Sequence, residues 1–243
     1  VFGLTTVNPS QYRQGTDSMS TKSGAESEFS KLIHGFVDPE FWVEASSLRY
    51  GIGDLAPAER PLAEKAIASR QREFATGRVL AHRLLDQAGH DAPALLRDED
   101  RVPEWPSGIV GSITHCDSLC VVAVGSNETH AGVGLDVEPD EPVTLGVERV
   151  VCRPEEGPWL DGASDDEDRA RRVRLIFSVK EATYKAFYPE LRTFWSFQDV
   201  HVAVDESAER FIAHLPDGPD VREIEGRVLR RRGWILSSVC RRR

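Results

Sequence analysis

The chain has 243 residues, 40% of them apolar and 29% charged, and carries a net charge of −10 at pH 7. Such a length buries one core or two small ones, and the acidic balance argues against general nucleic-acid binding, which needs a basic footprint. No apolar run approaches the roughly 20 residues of a membrane span, and the amino terminus has no apolar signal-peptide core, so the sequence predicts a soluble, cytoplasmic protein without a membrane partner.

Residues 1–30 are polar and short of core formers, and read as a flexible arm. Met19 is the only methionine, which raises a natural start there. Phe36, Phe41 and Trp42 then form an apolar cluster. Pro57 and Pro61 punctuate the start of a long helical pattern, and Gly89 ends it in a C-cap position. Its stripe is Ile67, Phe74, Ala81, Leu84 and Leu85. Arg70 and Arg78 fall on the same side, at four-residue steps around Phe74 and about 12 Å apart along the axis. Arginines so placed usually rest their stems on the core and lift their heads to water; the same spacing suits a clamp on an extended anion.

From Ile109 the apolar period becomes that of strands. Residues 109–115, 119–124 and 132–138 read as a three-stranded meander following the helix, with a turn at 126–129. Residues 139–161 read as a loop region with one short helix near 147–152. Ser164 to Glu167 offer a capping box for a helix that runs to Tyr188 and is stopped by Pro189. Those acids lack the spacing and glycine of a calcium loop. Strands follow at 200–204, 211–215 and 234–239, while the basic stretch 222–243 reads as a solvated tail and strand edge, with an acidic protein partner as the alternative.

The order helix, then three strands, thus occurs twice. It predicts an α+β fold of two similar halves, residues 31–138 and 164–243, joined by 139–163, with a cleft at their junction. The four cysteines, Cys116, Cys120, Cys152 and Cys240, lack paired C-x-x-C spacing and read as reduced structural thiols.

The chemistry-bearing residues concentrate in three places. Asp136 and Glu138 stand two apart at a strand end, where side chains share a face about 6.5–7 Å apart at the backbone. They are either turn formers or a pair that reaches one cation. In the long second helix Phe177, Glu181 and Lys185 recur at four-residue steps and share a face. Alone, Glu181 and Lys185 make a surface pair worth about 0.2–0.5 kcal/mol. Yet only five of the thirty basic residues are lysines (Lys22, Lys31, Lys65, Lys180 and Lys185), and lysine, unlike arginine, gives up its proton. Asp136, Glu138 and Glu181 together offer three hard oxygen donors, which favours magnesium over zinc. His115, at the end of its strand, is either a satisfied core histidine or a phosphate donor. With Arg70, Arg78, Arg97 and the hydroxyls of Ser112 and Thr114, the set describes a site for a magnesium-bound polyphosphate.

Three segments carry a specific resemblance. Gly111-Ser112-Ile113-Thr114-His115, Gly134-Leu135-Asp136-Val137-Glu138 and Phe177-Ser178-Val179-Lys180-Glu181-Ala182-Thr183-Tyr184-Lys185 resemble, in order and separation, the signature motifs of Sfp-type 4′-phosphopantetheinyl transferases. Arg72 to Arg78 and the Trp105-Pro106 pair resemble the enterobactin-synthetase component D branch. The similarity spans roughly residues 57–199.

The resemblance implies a pseudo-dimeric α+β fold, each half a long helix on a three-stranded antiparallel sheet, in a monomeric enzyme. It implies transfer of 4′-phosphopantetheine from coenzyme A to a serine of an apo acyl or peptidyl carrier protein, with release of adenosine 3′,5′-bisphosphate. Carried over, Asp136, Glu138 and Glu181 hold magnesium; Arg70, Arg78, Arg97, Ser112, Thr114 and His115 contact coenzyme A, with Asp136 and Lys185 at its pyrophosphate; Glu181 and Lys185 are catalytic. Val137 departs from relatives with an acid there, since valine cannot ligate metal. Arginines stand where some relatives have phosphate-binding lysines. The competing readings are a magnesium-dependent phosphohydrolase and a non-catalytic module that binds coenzyme A or carrier proteins.

Overall fold

A computed structural model describes residues 33–243; the arm expected over residues 1–30 and the start at Met19 lie outside them. The described elements are strand β1 (Trp42–Ser47), helix α1 (Ala68–Gln87), strands β2 (Ile109–His115), β3 (Leu119–Ser126) and β4 (His130–Pro139), short helices α2 (Val147–Val151) and α3 (Gly157–Asp161), helix α4 (Asp166–Leu191), and strands β5 (His201–Asp205), β6 (Arg210–His214), β7 (Glu223–Arg231) and β8 (Trp234–Arg242). The fold is mixed α and β with antiparallel sheets. No helix among the described residues is long and apolar enough to cross a membrane.

Strand alternation sets the layers. The first sheet has the order β1-β3-β2. On β3, Cys120, Val122 and Val124 pack with Leu80, Ala81, Leu84 and Leu85 of α1, while Leu119, Val121 and Ala123 turn to the opposite face. There they meet Val133, Leu135 and Val137 of β4 with Leu229 and Leu236 of the second sheet. The second sheet has the order β4-β8-β7-β6-β5. Its other face takes Val173, Ile176, Phe177, Val179 and Phe187 of α4 against Phe211, Ala213, Val228, Ile235 and Val239. Two sheets therefore pack face to face through one apolar cluster, with a long helix outside each.

Several expectations need correction. The third strand of the anticipated meander, β4, leaves β3 and pairs with β8, in the register Asp136 to Ser237 and Glu138 to Ile235. Its place beside β3 goes to β1, paired from Trp42–Val124 to Ser47–Leu119. The second sheet accordingly has five strands rather than three. The basic stretch 222–243 is neither tail nor edge: β7 and β8 lie inside that sheet, and Arg230, Arg241 and Arg242 are paired to Asp140, Glu190 and Asp38.

Helix ends differ in detail. Helix α1 stops in a Schellman arrangement: His90 N donates to Leu85 O and Gly89 N to Asp86 O, with Gly89 at φ +77°. Ile67 precedes it and is exposed rather than part of the stripe. Asp165, not Ser164, caps α4, its carboxylate accepting from Asp168 N at 2.8 Å. Pro189 does not stop α4, which runs to Leu191 and ends at Arg192 in the left-handed conformation. The proline sits in the last turn, where its missing N–H costs one bond and Arg192 N still reaches Tyr188 O at 2.9 Å.

Candidate active site

The edge strands of the two sheets, β2 and β4, meet through side chains rather than a backbone ladder. Leu135 N donates to Ser112 Oγ at 3.0 Å, and Val137 N donates to Thr114 Oγ1 at 3.3 Å. Alternation on β4 sends Val133, Leu135 and Val137 into the core between the sheets and Gly134, Asp136 and Glu138 toward α4. Gly134 permits the approach of that helix, since a Cβ there would lie 1.8 Å from Ala182 O. The helix is thereby set down with Glu181 and Lys185 over Asp136.

Lys185 Nζ lies 2.7 Å from Asp136 Oδ1 and 4.0 Å from Glu181. Thr114 Oγ1 donates to the same Asp136 oxygen at 3.3 Å. Asp136 Oδ2, by contrast, is buried and has no hydrogen-bond partner among the described residues. A buried carboxylate oxygen left bare is costly, and an anionic acceptor without a donor fits a cation. Glu138 takes a different partner: its Oε2 lies 2.7 Å from Arg174 Nη1.

Burial, with Asp136 adding to it, pushes Glu181 above the ordinary carboxylate range despite Lys185. Burial and then Asp136 likewise raise Glu138, to about 7, against the pull of Arg174. Burial alone would lower Lys185, but the Asp136 and Glu181 carboxylates outweigh it and hold the ammonium above its usual range. Two of the three acids are thus reluctant anions beside a firmly held cation.

His115 extends the site toward α1. Arg70 Nη1 donates to its Nε2 at 2.8 Å, and Glu73 Oε2 lies 2.8 Å from the same guanidinium nitrogen and 3.5 Å from His115 Nδ1. Burial, then Arg70 and Lys185, lower the imidazole to about 4, so it is neutral at pH 7 and accepts from Arg70. Arg78 and Arg97 gather separately over the ring of Phe74, at 4.6 and 6.0 Å. Arg78 is almost fully buried, and its Nε donates to Leu95 O at 2.7 Å. Arg97 Nη2 donates to Leu62 O at 3.3 Å. Of the two readings for Arg70 and Arg78, a stem on the core or an anion clamp, Arg78 shows the first, with its side chain on Phe74, while Arg70 pairs with Glu73 and His115.

Sequence reasoning missed two residues. Glu59 is wholly buried and accepts from Ala56 N, Leu95 N and His82 Nε2, fixing the segment that leads to Arg97. Arg174 lies on the face of α4 seven residues before Glu181, a spacing that was readable. The cysteines are free, and burial pushes Cys116 and Cys152 to about 12 and Cys240 to about 11, with Cys120 raised further, so none is a ready thiolate. Among the described residues no three His, Cys, Asp or Glu groups are gathered closely enough to hold a metal as they stand. Asp136 and Glu181 are adjacent, and Glu138 is turned to Arg174.

Comparison with known proteins agrees with the motifs. Residues 58–125 match the family model of the 4′-phosphopantetheinyl transferase N-terminal domain, and residues 132–236 match that of the 4′-phosphopantetheinyl transferase superfamily. The chain is 37% identical over 192 residues to the 4′-phosphopantetheinyl transferase Svp of Streptomyces mobaraensis, covering 76% of this chain and 78% of that protein. It is 31% identical over 193 residues to the 4′-phosphopantetheinyl transferase PptT of Mycobacterium tuberculosis, covering 75% and 84%. Enterobactin synthase component D of Salmonella typhi is 31% identical over 120 residues, with 49% and 48% covered.

Proposed function

The chain belongs to the 4′-phosphopantetheinyl transferase superfamily, and on that premise we propose that coenzyme A is its donor, that magnesium assists, and that adenosine 3′,5′-bisphosphate is released. The observation that carries this reading is Asp136, with one oxygen on Lys185 and Thr114 and the other buried without a partner among the described residues. Asp136, Glu138 and Glu181 would hold the ion, which when bound would neutralise charge on the pyrophosphate.

A serine hydroxyl attacks poorly until its proton is removed. Glu181, which burial holds above the ordinary carboxylate range, is the base. As the serine oxygen bonds to phosphorus, the bond to the bridging oxygen breaks and the bisphosphate departs. Lys185, held cationic by Asp136 and Glu181, stabilises or protonates the departing phosphate. Neutral His115 and Arg70 meet phosphate at the inner end of α1, while Arg78 and Arg97 on Phe74 receive the nucleotide phosphates farther along. Ser112 and Thr114 hold the β2–β4 seam against this lane.

The carrier docks at residues 139–159, where Leu145 and Val150 stand exposed beside Arg149. We read the two helix-and-sheet units as halves of a pseudo-dimer acting as a monomer. The test is mass spectrometry of apo acyl and peptidyl carrier domains incubated with enzyme, magnesium and coenzyme A. A gain of one phosphopantetheine arm supports the reading. Cleavage of coenzyme A without a carrier would point to a hydrolase, and binding without turnover to a non-catalytic module.

A further inference from the structure

Arg174 is a candidate that the proposed chemistry does not use. Its Nη1 takes Glu138 Oε2 at 2.7 Å, while its Nε donates to Glu141 O at 2.7 Å and its Nη2 to Pro142 O at 3.4 Å. Both side chains of the pair are largely buried. The guanidinium is therefore fixed at three points, two of them backbone carbonyls just beyond the strand that carries Asp136 and Glu138.

We propose that Arg174 is a positioning residue that holds Glu138 in reserve, competing with a divalent ion for its carboxylate and so weakening the ion's hold on the site. The inference rests on the reading that Asp136, Glu138 and Glu181 are the ion's ligands. Asp136 and Glu181 are adjacent and face the site, whereas Glu138 is already neutralised by a partner of its own. An ion that recruits Glu138 must do so against a charge-assisted hydrogen bond and beside a fixed positive charge. Both effects act in the same direction, so removing the guanidinium tightens ion binding.

Titration of the whole chain with Mn2+ alone, followed by electron paramagnetic resonance, reads this directly without turnover. Arg174→Gln is expected to bind Mn2+ about three- to tenfold more tightly, the effect of one cation removed at short range in a partly solvated site. Arg174→Lys, which keeps the charge, should stay near the parent. The gain must vanish when Glu138→Gln is added, since the coupling runs through that carboxylate. Unchanged or weaker binding in Arg174→Gln, with Asp136→Asn still impaired, would overturn the proposal and leave the metal reading standing. If Asp136→Asn binds like the parent, or the parent binds no Mn2+, the ligand assignment fails and this inference with it.

Discussion

Lys180 and Glu156 form an ion pair inside the protein, with Nζ 2.8 Å from Oε1 and side-chain exposures of 2% and 1%. Lys180 also donates to Val151 O at 2.8 Å and Phe197 O at 2.9 Å. Glu156 in turn accepts from Arg153 N and Val202 N. The pair thus pins the segment around α2, the loop before β5 with the start of that strand, and the middle of α4 together. Five residues on, Lys185 does something else: it faces Asp136 and Glu181 at the site.

Replacing Lys180 by Met leaves the Glu156 carboxylate and two carbonyls buried without their cation. Breaking one side of such a pair costs about 3–5 kcal/mol. Urea denaturation should show a loss of unfolding free energy of that size, and a loss below about 1 kcal/mol would mean that the segment is held by its apolar contacts alone.

His115 gives a pH dependence with a definite sign. Burial and its cationic neighbours lower the folded imidazole from 6.5 to about 4. Between those values the unfolded chain binds the proton and the folded chain does not, so acid favours unfolding. The contribution is present above about 6.5 and is lost as pH falls toward 4. Stability measured across that window should fall, and His115→Gln should flatten the slope; an equally steep slope in the variant would assign the effect to other groups.

The chemistry was more legible than the topology. Glu181 and Lys185 could be placed together because helical spacing puts residues four apart on one face, and Asp136 and Glu138 because strands alternate. Neither period says which strand lies alongside. The pairing of β4 with β8 joins residues about a hundred apart, and the close approach of α4 at Gly134 is likewise a contact no local pattern encodes. Strand β7 was hidden for a local reason: its inward positions run Ile224, Gly226, Val228, and the glycine stands where Phe211 fills the space, with a Cβ there only 2.2 Å from the ring. Arg174 and Glu59 were missed because an ion pair or a buried acceptor is defined by its partner, and both partners come from distant segments.

Gly134→Ala tests whether close packing sets the site. The added methyl would meet the Ala182 and Ala186 backbones at 1.8 and 2.6 Å, so α4 must shift away from β4. Overpacking of this kind costs about 1–3 kcal/mol or more. The melting temperature should drop, and transfer should fall further than the loss of folded enzyme explains, because Lys185 and Glu181 ride on the displaced helix. Activity that tracks the folded fraction alone would show that the contact serves stability only.

Glu181→Gln and Asp136→Asn separate the base from the ion. Glutamine is close to isosteric with the acid but cannot take the serine proton, so transfer to an apo carrier should fall by about 10²–10⁴-fold, the usual contribution of general-base catalysis. Glu181 is also assigned to the ion, so excess Mg2+ should restore only the part of the loss that comes from weaker ion binding and leave the loss of the base. Asp136→Asn removes the anion facing Lys185, so the lysine loses the partner that most raises its pKa. Its transfer rate should fall as well, with a profile whose alkaline limb moves to lower pH as Lys185 deprotonates earlier. Steady-state rates from pH 6 to 10, with circular dichroism to confirm folding, distinguish the two. Near-parental turnover in Glu181→Gln would remove it as the base, and an unmoved alkaline limb in Asp136→Asn would remove Lys185 from the leaving-group step.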